Sequence, residues 1–217
     1  MYEYVKNKDI LRYVLETSTN LLNELKIKVN NDKFIHVDFE IVGNKSMIMR
    51  DSNNPIDVDY SLIVDEFPSE GIEPKVLKDY LLETFNKILV KHDFLEAKDE
   101  VSLIQASLNP NKEMPSFNLN IGIFVIILGE PNRLIHRYKK KIDRHLYTWN
   151  KLTPFNELNK KLELIKEAEL YEELRKIYRN KRNLYLRQND LENHPAMVVF
   201  AESINELFVG LINTAMN

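Results

Sequence analysis

Two short stretches decide the fold: Val42-Gly43-Asn44-Lys45-Ser46 and, after a gap of twelve residues beyond Asn44, Asp57-Val58-Asp59-Tyr60. The first follows an alternating strand-like run, and the second lies inside another. Residues i and i+2 of a strand point to the same face, so Asp57 and Asp59 project together. Two like charges on one face repel each other, and the usual partner for two such carboxylates is a divalent cation. The sequence therefore predicts a metal site on this strand.

The elements around these stretches follow from apolar periodicity. An amphipathic helix is predicted over 8–27, where leucines recur at three- and four-residue spacing, and a turn at 30–32 closes it. Strict alternation predicts a half-buried strand over 34–42, ended by Gly43. A helix is predicted from Pro74 to near His92. The further predicted strands are 56–64, 100–108 and 117–128. The second half of the last one, 123–128, is apolar on both faces, so this strand is predicted to be central. Residues 50–55 are predicted as a loop, and 67–71 and 110–112 as turns.

The final third of the chain changes character. Residues 133–140 and 145–151 can pair as a hairpin, and a helix through 133–150 is the competing interpretation. Residues 155–182 are rich in Glu, Lys and Leu, and Pro195 opens a last helix. The pattern predicts the α+β class, with a mixed sheet flanked by helices and then a helical C-terminal part. The expected domains are 1–152 and 153–217.

Composition restricts the class of function. The 217 residues contain no cysteine, which excludes disulfides and thiolate metal sites. A net charge of −3 predicts neither a nucleic-acid nor a membrane partner. No signal peptide and no apolar run of membrane-spanning length is visible, so a cytoplasmic protein is expected. The patterns of P-loop enzymes and of nucleophile-elbow hydrolases do not occur.

The two stretches together resemble the nucleotidyltransferase superfamily typified by DNA polymerase beta. The pattern in that family is an apolar residue, Gly, then Gly or Ser, a gap of about ten residues, and Asp-apolar-Asp/Glu-apolar on the next strand. Here it is Val42-Gly43-Asn44 followed by Asp57-Val58-Asp59-Tyr60. The resemblance rests mainly on residues 34–64, and the order of elements up to 128 is consistent with it.

The resemblance implies roles for these residues. Asp57 and Asp59 would hold Mg²⁺, with two ions possible, on a nucleoside triphosphate. The turn formed by Gly43, Asn44, Lys45 and Ser46 would contact the phosphates, since glycine has no Cβ to block a close approach. Lys45 and Arg50 can equally be solvated loop charges.

The sequence departs from the family at two positions. Asn44 stands where Gly or Ser is usual, a mild change because Asn tolerates left-handed turns. The strand that should carry a third catalytic carboxylate reads Ser116-Phe117-Asn118-Leu119-Asn120-Ile121 and contains no acid. Asn118 is the preferred match, with Asn120 the alternative, and an amide cannot act as a base. The acids that can compensate from neighbouring segments are Asp38, Glu40 and Asp99.

Two basic groups each allow two interpretations. The first, near Tyr138, Tyr147 and Trp149, can bind a base or RNA, but a solvated hairpin with its aromatic rings on the core is preferred. The second can reach phosphates across a cleft, but a solvated helix face is preferred. The groups are Arg133, Arg137, Lys139–Lys141 and Arg144, and Arg175, Arg179, Lys181, Arg182 and Arg187. The five histidines show no metal spacing, although His136 and His145 can face each other in the hairpin.

Two functional hypotheses follow. The first is a Mg²⁺-dependent nucleotidyltransferase that moves a nucleoside monophosphate to a hydroxyl of a small molecule or protein; a nucleic-acid acceptor is possible but less favoured. The second is a catalytically degenerate member of the family that binds a nucleotide or a partner protein. The missing third carboxylate is the main support for the second hypothesis.

Overall fold

The computed structural model describes residues 1–32, 34–51, 54–67, 71–109, 114–152 and 155–215. Within these ranges nine strands form one sheet and five α-helices pack on it. The strands are β1 (Tyr2–Tyr4), β2 (His36–Ile41), β3 (Met49–Asp51), β4 (Ile56–Glu66), β5 (Lys98–Asp99), β6 (Ile104–Leu108), β7 (Phe117–Ile127), β8 (Glu130–Lys139) and β9 (Arg144–Lys151). The helices are α1 (Lys8–Asn31), α2 (Pro74–Lys91), α3 (Phe155–Glu167), α4 (Tyr171–Arg187) and α5 (Ala196–Ala215).

The sheet is mixed, with strand order β1-β3-β4-β7-β6-β5. β2 also pairs with β4, and the β8–β9 hairpin continues from β7. The pairing of β4 with β7 is parallel, whereas the other pairings are antiparallel. Most residues of β4 and β7 are buried, which is why their sequences are nearly continuous apolar runs.

One face of the sheet packs on α1 and α2. The side chain of Asn7 caps α1 by accepting from the backbone N–H groups of Asp9 and Ile10, at 3.0 and 3.1 Å. Ser18 is the polar member of the apolar stripe, and its hydroxyl donates to Val14 O at 2.7 Å. Buried leucines of both helices meet Val58, Leu62 and Val64 of β4 in the larger hydrophobic core.

The opposite side carries the C-terminal helices. Their apolar stripes form a second core with β1 and with the residues around the turn 43–46, which we call the motif turn. It contains Tyr2, Val42, Met47 and Met49 together with Leu158, Ile165, Leu174, Tyr178, Val199, Phe200 and Ile204. The carboxylates of β4 therefore lie on the side of the sheet that α4 and α5 cover.

The α+β class and the mixed sheet followed by helices are confirmed. The β8–β9 hairpin is confirmed, with Tyr138 opposite His145, and the alternative helix over 133–150 is wrong. α2 begins at Pro74 and is capped by His92, as predicted. The division into domains at 152/153 stays a prediction.

Four boundaries needed correction. α1 continues through Asn30 and Asn31, because the Asn30 side chain exchanges hydrogen bonds with the Val37 backbone at 2.9 and 3.2 Å. The predicted loop 50–55 contains the end of β3, because the backbone there pairs with both β1 and β4. The strand predicted at 100–108 starts only at Ile104, since Glu100 N donates to Leu103 O in a turn. The helical stretch 155–182 is two helices, broken where Glu169 has a φ of 59°.

The turn predicted at 110–112 lies outside the described residues, as do residues 68–70 of the turn predicted at 67–71.

Candidate functional site

The parallel pairing of β4 and β7 builds the centre of the site. Its register sets Asp57 opposite Asn118 and Asp59 opposite Asn120. Asn118 Nδ2 donates to Asp57 Oδ1 at 3.2 Å, and Asn120 Nδ2 donates to Asp59 Oδ1 at 3.1 Å and to Asp57 Oδ1 at 3.5 Å. Both candidates for the third acidic position therefore lie against the aspartates. The structure brings Asp57, Asp59 and Asn118 together as the sequence predicted, and Asn120 joins them.

The two amides are held in this orientation by β6. Gln105 Nε2 donates to Asn120 Oδ1 at 2.9 Å, and the Ser107 hydroxyl donates to Asn118 Oδ1 at 3.0 Å. Each amide oxygen is thus occupied on the β6 side, and each amide N–H points to a carboxylate. The result is a chain of hydrogen bonds from β6 through β7 to β4.

Two residues distant in sequence complete the surroundings of the aspartates. The Tyr2 hydroxyl donates to Asp57 Oδ2 at 2.9 Å. The backbone of Tyr2 is held by the side chain of Asn183 on α4: Tyr2 N donates to Asn183 Oδ1, and Asn183 Nδ2 donates to Tyr2 O. The guanidinium of Arg182, also on α4, lies 4.9 Å from the centre of the Tyr2 ring and is buried. Burial alone would lower the pKa of Arg182, but neighbouring phenols and the carboxylates of Asp59 and Asp57 outweigh it, so its pKa is raised.

A cavity of about 230 Å³ lies between these groups. Asp57, Asp59, Asn120 and Gln105 line it together with Arg182. Glu100, Glu192 and the turn at 101–103 also line it, with Pro195 and Ala196. Among the described residues Arg182 makes no ion pair within 4 Å to either aspartate, although the charges of both raise its pKa.

Asp59 is the titratable group most affected by this environment. Removal from water raises the pKa of the Asp59 carboxyl from 3.8 to about 6. The Arg182 guanidinium opposes that rise, the charge of Asp57 adds to it, and the hydrogen bond from Asn120 opposes it. Near pH 6 this carboxyl is therefore divided between its neutral and charged forms.

The raised pKa predicts a stability effect of Asp59→Asn. The folded state keeps the Asp59 proton at a pH where the unfolded chain has lost it, so stability is full below pH 4 and falls as pH rises through 6. Asparagine does not titrate, so the variant should unfold with about 1–3 kcal/mol more free energy than wild type at pH 8 and show no gain at pH 4. Urea unfolding across this range measures it. The exposed Glu40→Gln should give a flat difference, and a gain for Asp59→Asn of equal size at both pH values would contradict the assignment.

The Gly43 turn lies at the edge of the same site. Gly43 has a φ of 72°, and a Cβ there would stand 2.7 Å from Met47 Cγ. Asn44 Oδ1 accepts from Ser46 N at 2.7 Å and so caps the 3-10 turn Lys45–Met47. Gly43 and Asn44 therefore both have a structural role in this turn, and neither role requires a bound phosphate.

Helix α4 covers this turn. Asn44 Nδ2 donates to the Tyr171 hydroxyl at 2.5 Å, and Arg175 Nη2 donates to Ser46 O at 3.1 Å. Lys45 is exposed, whereas Arg50 donates to Asn54 O at 2.9 Å on the far side of β3. Of the residues predicted to hold a triphosphate, Asn44 and Ser46 are therefore engaged with α4, whereas Lys45 is not.

Gly43→Ala should lower the free energy of unfolding by about 2–3 kcal/mol, because it combines left-handed backbone strain with the clash at Met47. Gly129 provides the matched control: its φ is 79°, but a Cβ there meets nothing within 4 Å. Gly129→Ala should therefore cost only the conformational part, about 1 kcal/mol. Equal losses of unfolding free energy in the two variants, measured with urea, would show that the contact with Met47 does not add to the loss.

The oxygens present do not suit the two Mg²⁺ ions that the resemblance implied. Three of the four carboxylate oxygens of Asp57 and Asp59 accept hydrogen bonds from neutral donors, and the amide oxygens of Asn118 and Asn120 face β6. Each aspartate keeps some free lone pairs, but Mg²⁺ demands a near-octahedral set of oxygens, and the amide oxygens that could complete it point toward β6. Among the described residues there is also no group of three or more His, Cys, Asp or Glu side chains placed to hold a metal.

None of the acids considered as substitutes reaches the pair. Asp38 is exposed and pairs with Lys26 at 2.8 Å, and Glu40 is exposed on β2. Asp99 forms an ion pair with buried Lys78. The described part of the site therefore contains two carboxylates on β4 and no third acid in hydrogen-bond contact with them.

The first basic group follows the preferred interpretation except for Tyr138, whose side chain is exposed. Arg137, Lys139–Lys141 and Arg144 are exposed, while Tyr147 and Trp149 pack against the larger core. Arg133 is a further exception: it is buried, and burial together with Arg137 lowers the pKa of its guanidinium to about 10. His136 and His145 do face each other, with Nε2 and Nδ1 2.7 Å apart.

The second basic group divides between two interpretations. Lys181 pairs with Glu206 at 2.9 Å on the helix surface, which fits a solvated face. Arg182 lines the cavity and Arg175 contacts the motif turn, which fits a cleft. Sequence reasoning missed Tyr2, Gln105 and Glu192 at the site, and no local pattern marks them.

The fold now defines a class. A mixed sheet with parallel β4 and β7, followed by helices, matches solved structures of the nucleotidyltransferase fold. E. coli MS115-1 CdnC in a complex with HORMA-deltaN matches with a TM-score of 0.53 and 13% identity, over 94% of this chain and 61% of that one. CdnC of the same strain with ATP matches with 0.51 and 13%, over 97% and 68%. At this identity the likeness shows the fold alone.

No family model and no curated protein matches the sequence. The chain spans about 61% of the length of the first of these solved structures, so the activity of the longer protein does not transfer with the fold. No helix in the described ranges has the length and apolar character needed to cross a bilayer.

Proposed function

We propose that this chain is a catalytically degenerate protein of the nucleotidyltransferase fold, which binds a nucleotide or a partner and transfers no nucleotidyl group. One observation carries the proposal. The strand beside Asp57 and Asp59 presents amide N–H donors from Asn118 and Asn120 where a third carboxylate would stand. An amide binds a cation more weakly than a carboxylate does, and it cannot take a proton from an attacking hydroxyl.

The surroundings support the same conclusion. The Tyr2 hydroxyl donates to the second carboxylate oxygen of Asp57. Tyr171 and Arg175 form hydrogen bonds with the turn that would bind phosphates. The cavity beside the aspartates, at about 230 Å³, is smaller than the 300–1,000 Å³ typical of ligand pockets. An arrangement closed in this way suits a stable binding scaffold better than repeated turnover.

The second candidate is the Mg²⁺-dependent transferase, with a small molecule or a protein supplying the acceptor hydroxyl. The observation in its favour is the charge of the cavity, where Glu100 and Glu192 join the two aspartates against the single Arg182. That excess of acid would attract a divalent cation. Asp57 and Asp59 would then hold the metal, and the turn of Gly43, Asn44, Lys45 and Ser46 would have to release Tyr171 before it could bind a triphosphate.

Thermal unfolding with each of the four ribonucleoside triphosphates, with and without Mg²⁺, separates the two candidates. A ligand that binds the folded state raises the melting temperature by mass action. A degenerate nucleotide binder should show a shift that does not require Mg²⁺ and survives Asp57→Ala, and a partner-binding module should show none. A shift seen only with Mg²⁺ and abolished by Asp57→Ala would contradict the proposal and favour the transferase.

A further inference from the structure

A second and larger depression lies beside α4, outside the cavity that contains the carboxylates. Its volume is about 1020 Å³, and it runs between the end of β1, the first half of α1, the 3-10 turn after Gly43 and the exposed side of α4. We call it the α1–α4 groove. Lys45 and Ser46 of the motif turn line it, as does Arg175 of α4, which contacts that turn. It contains neither Asp57 nor Asp59.

The groove is basic in a protein that is acidic overall. Seven of its lining side chains are Lys or Arg and three are Glu, while the chain carries a net charge of −3. Four of the cations already have carboxylate partners. These pairs are Arg12–Asp9, Arg175–Glu172, Lys176–Glu173 and Arg179–Glu3.

Three lysines of the groove remain available. Lys6, Lys8 and Lys45 are exposed, and none of them forms an ion pair with a described residue. They stand along the rim at the two ends of the lining, before α1 and in the motif turn. Cations without partners around a concave surface generate a positive potential that attracts an anionic ligand.

The floor of the groove is apolar. Tyr4 and Val5 contribute from the N-terminal strand, and Leu11 and Leu15 from the same face of α1. All four side chains are half-buried, so part of their surface faces the groove. A ligand that covers this floor must present apolar groups between its charges, because burying polar groups there without partners costs free energy.

These two properties distinguish among polyanions. Single-stranded nucleic acid binds through stacking of bases on aromatic faces as well as through phosphates. Tyr4 is the one aromatic side chain of the groove lining, and Arg175 covers it at 4.2 Å from the ring centre. A phosphodiester backbone also has no apolar side chains that could pack on Leu11 and Leu15. A helical peptide with acidic side chains on one face and aliphatic side chains on the other satisfies both the rim and the floor.

We propose that the α1–α4 groove binds an acidic amphipathic segment of a partner protein, with its carboxylates on Lys6, Lys8 and Lys45 and its aliphatic side chains on the floor. The mode is that of a helix in a groove, where apolar anchors give affinity and charges select the partner. The proposal does not depend on whether the carboxylate pair is catalytic, since the two sites share no carboxylate.

Fluorescence anisotropy with synthetic labelled peptides tests the groove in the full chain. The probe is a helical peptide with leucine at i, i+4 and i+7 and glutamate elsewhere. Lys6→Glu/Lys8→Glu should weaken its binding by about tenfold, since both lysines lie on the rim. The matched control is Lys140→Glu/Lys141→Glu, which makes the same change of charge at the exposed tip of the β8–β9 hairpin and should leave the affinity within about twofold of wild type.

Three further probes define the ligand. A glutamate peptide without leucines and a peptide with lysine in place of glutamate should both bind at least about tenfold more weakly. Labelled oligothymidylate should also bind more weakly than the probe. Equal weakening by the two double variants, no saturable binding of the probe, or tighter binding of oligothymidylate would each overturn the proposal. Circular dichroism of both variants checks that the fold is retained.

Discussion

Replacing Lys78 with alanine is expected to lower the free energy of unfolding by about 3–5 kcal/mol, the usual effect of removing one member of a buried ion pair. Lys78 is on α2 with its side chain 1% exposed. Its ammonium group forms an ion pair with Asp99 and donates to Glu100 O at 2.5 Å. Burial lowers the pKa of Lys78, although Asp99 opposes this, so the charge depends on its partner.

The loss would spread because Asp99 joins several elements. His136 and the Tyr147 hydroxyl also contact Asp99, at 3.0 and 2.9 Å, and so tie the hairpin to β5. Burial raises the pKa of the Asp99 carboxyl, but Lys78, Tyr147 and His136 lower it by more, so its pKa lies below the usual value. Without Lys78 this half-buried carboxylate loses its main source of compensation.

Lys75, about one turn earlier on the same helix, supplies the control. It pairs with Asp79, but both side chains are about half exposed, so Lys75→Ala should cost no more than about 0.5 kcal/mol. The double variant Lys78→Met/Asp99→Leu should recover part of the loss, because it leaves no unpaired charge. A loss for Lys78→Ala as small as that for Lys75→Ala, measured by urea unfolding, would show that the pair does not stabilise the fold.

Asn118→Asp is the second large effect. It replaces an amide donor 3.2 Å from Asp57 Oδ1 with a carboxylate, so three negative charges meet at the β4–β7 pair. Without divalent cations at pH 8, the free energy of unfolding should fall by about 2–4 kcal/mol from like-charge repulsion and the lost hydrogen bond. Mg²⁺ or Mn²⁺ should restore part of it, since three carboxylates form a ligand set that the natural chain lacks.

Melting temperatures with and without metal measure this effect. Wild type should show little shift with Mg²⁺, and the exposed Asn150→Asp should behave as wild type does. If Asn118→Asp were as stable as wild type and insensitive to metal, the amide of Asn118 would have no role at the carboxylates. A strong Mg²⁺ shift in wild type would mean that the asparagines do not prevent metal binding.

The sequence predicted the longer strands and α2, but not the short strands β1, β3 and β5, because the evidence for the longer elements is local. Alternation from Phe34 to Val42, the continuous apolar run ending at Leu128 and the proline at the start of α2 each fix an element from neighbouring residues. The Asp57/Asp59 pair was predictable for the same reason. The parallel pairing with β7 then placed the asparagines opposite the aspartates.

The rest of the site depends on contacts between distant parts of the chain. Tyr2 reaches Asp57 because Asn183, 181 positions away, holds its backbone, and β1 is only three residues long. Arg182 belongs to a helix face whose charges look solvated in sequence, and only the packing of α4 against the sheet makes it buried. The positions of Tyr2 and Arg182 in the site are set by tertiary packing, which the periodicity of the sequence does not reveal.

The same limit explains the turn after Gly43. Its sequence is compatible with a phosphate cradle, yet its polar groups are shared with Tyr171 and Arg175 of α4. Nothing between 42 and 60 indicates that a helix more than a hundred residues later covers it. The motif therefore predicts the fold of the strand pair better than it predicts the ligand.

Pyrophosphate release is the most direct measurement of the central proposal. Wild type, Asp57→Ala and Asn150→Asp are incubated with each ribonucleoside triphosphate, Mg²⁺, and small-molecule or protein hydroxyl acceptors. A degenerate protein should release pyrophosphate at the same background rate in all three. Release by wild type and Asn150→Asp that disappears in Asp57→Ala would contradict the proposal and identify a working nucleotidyltransferase.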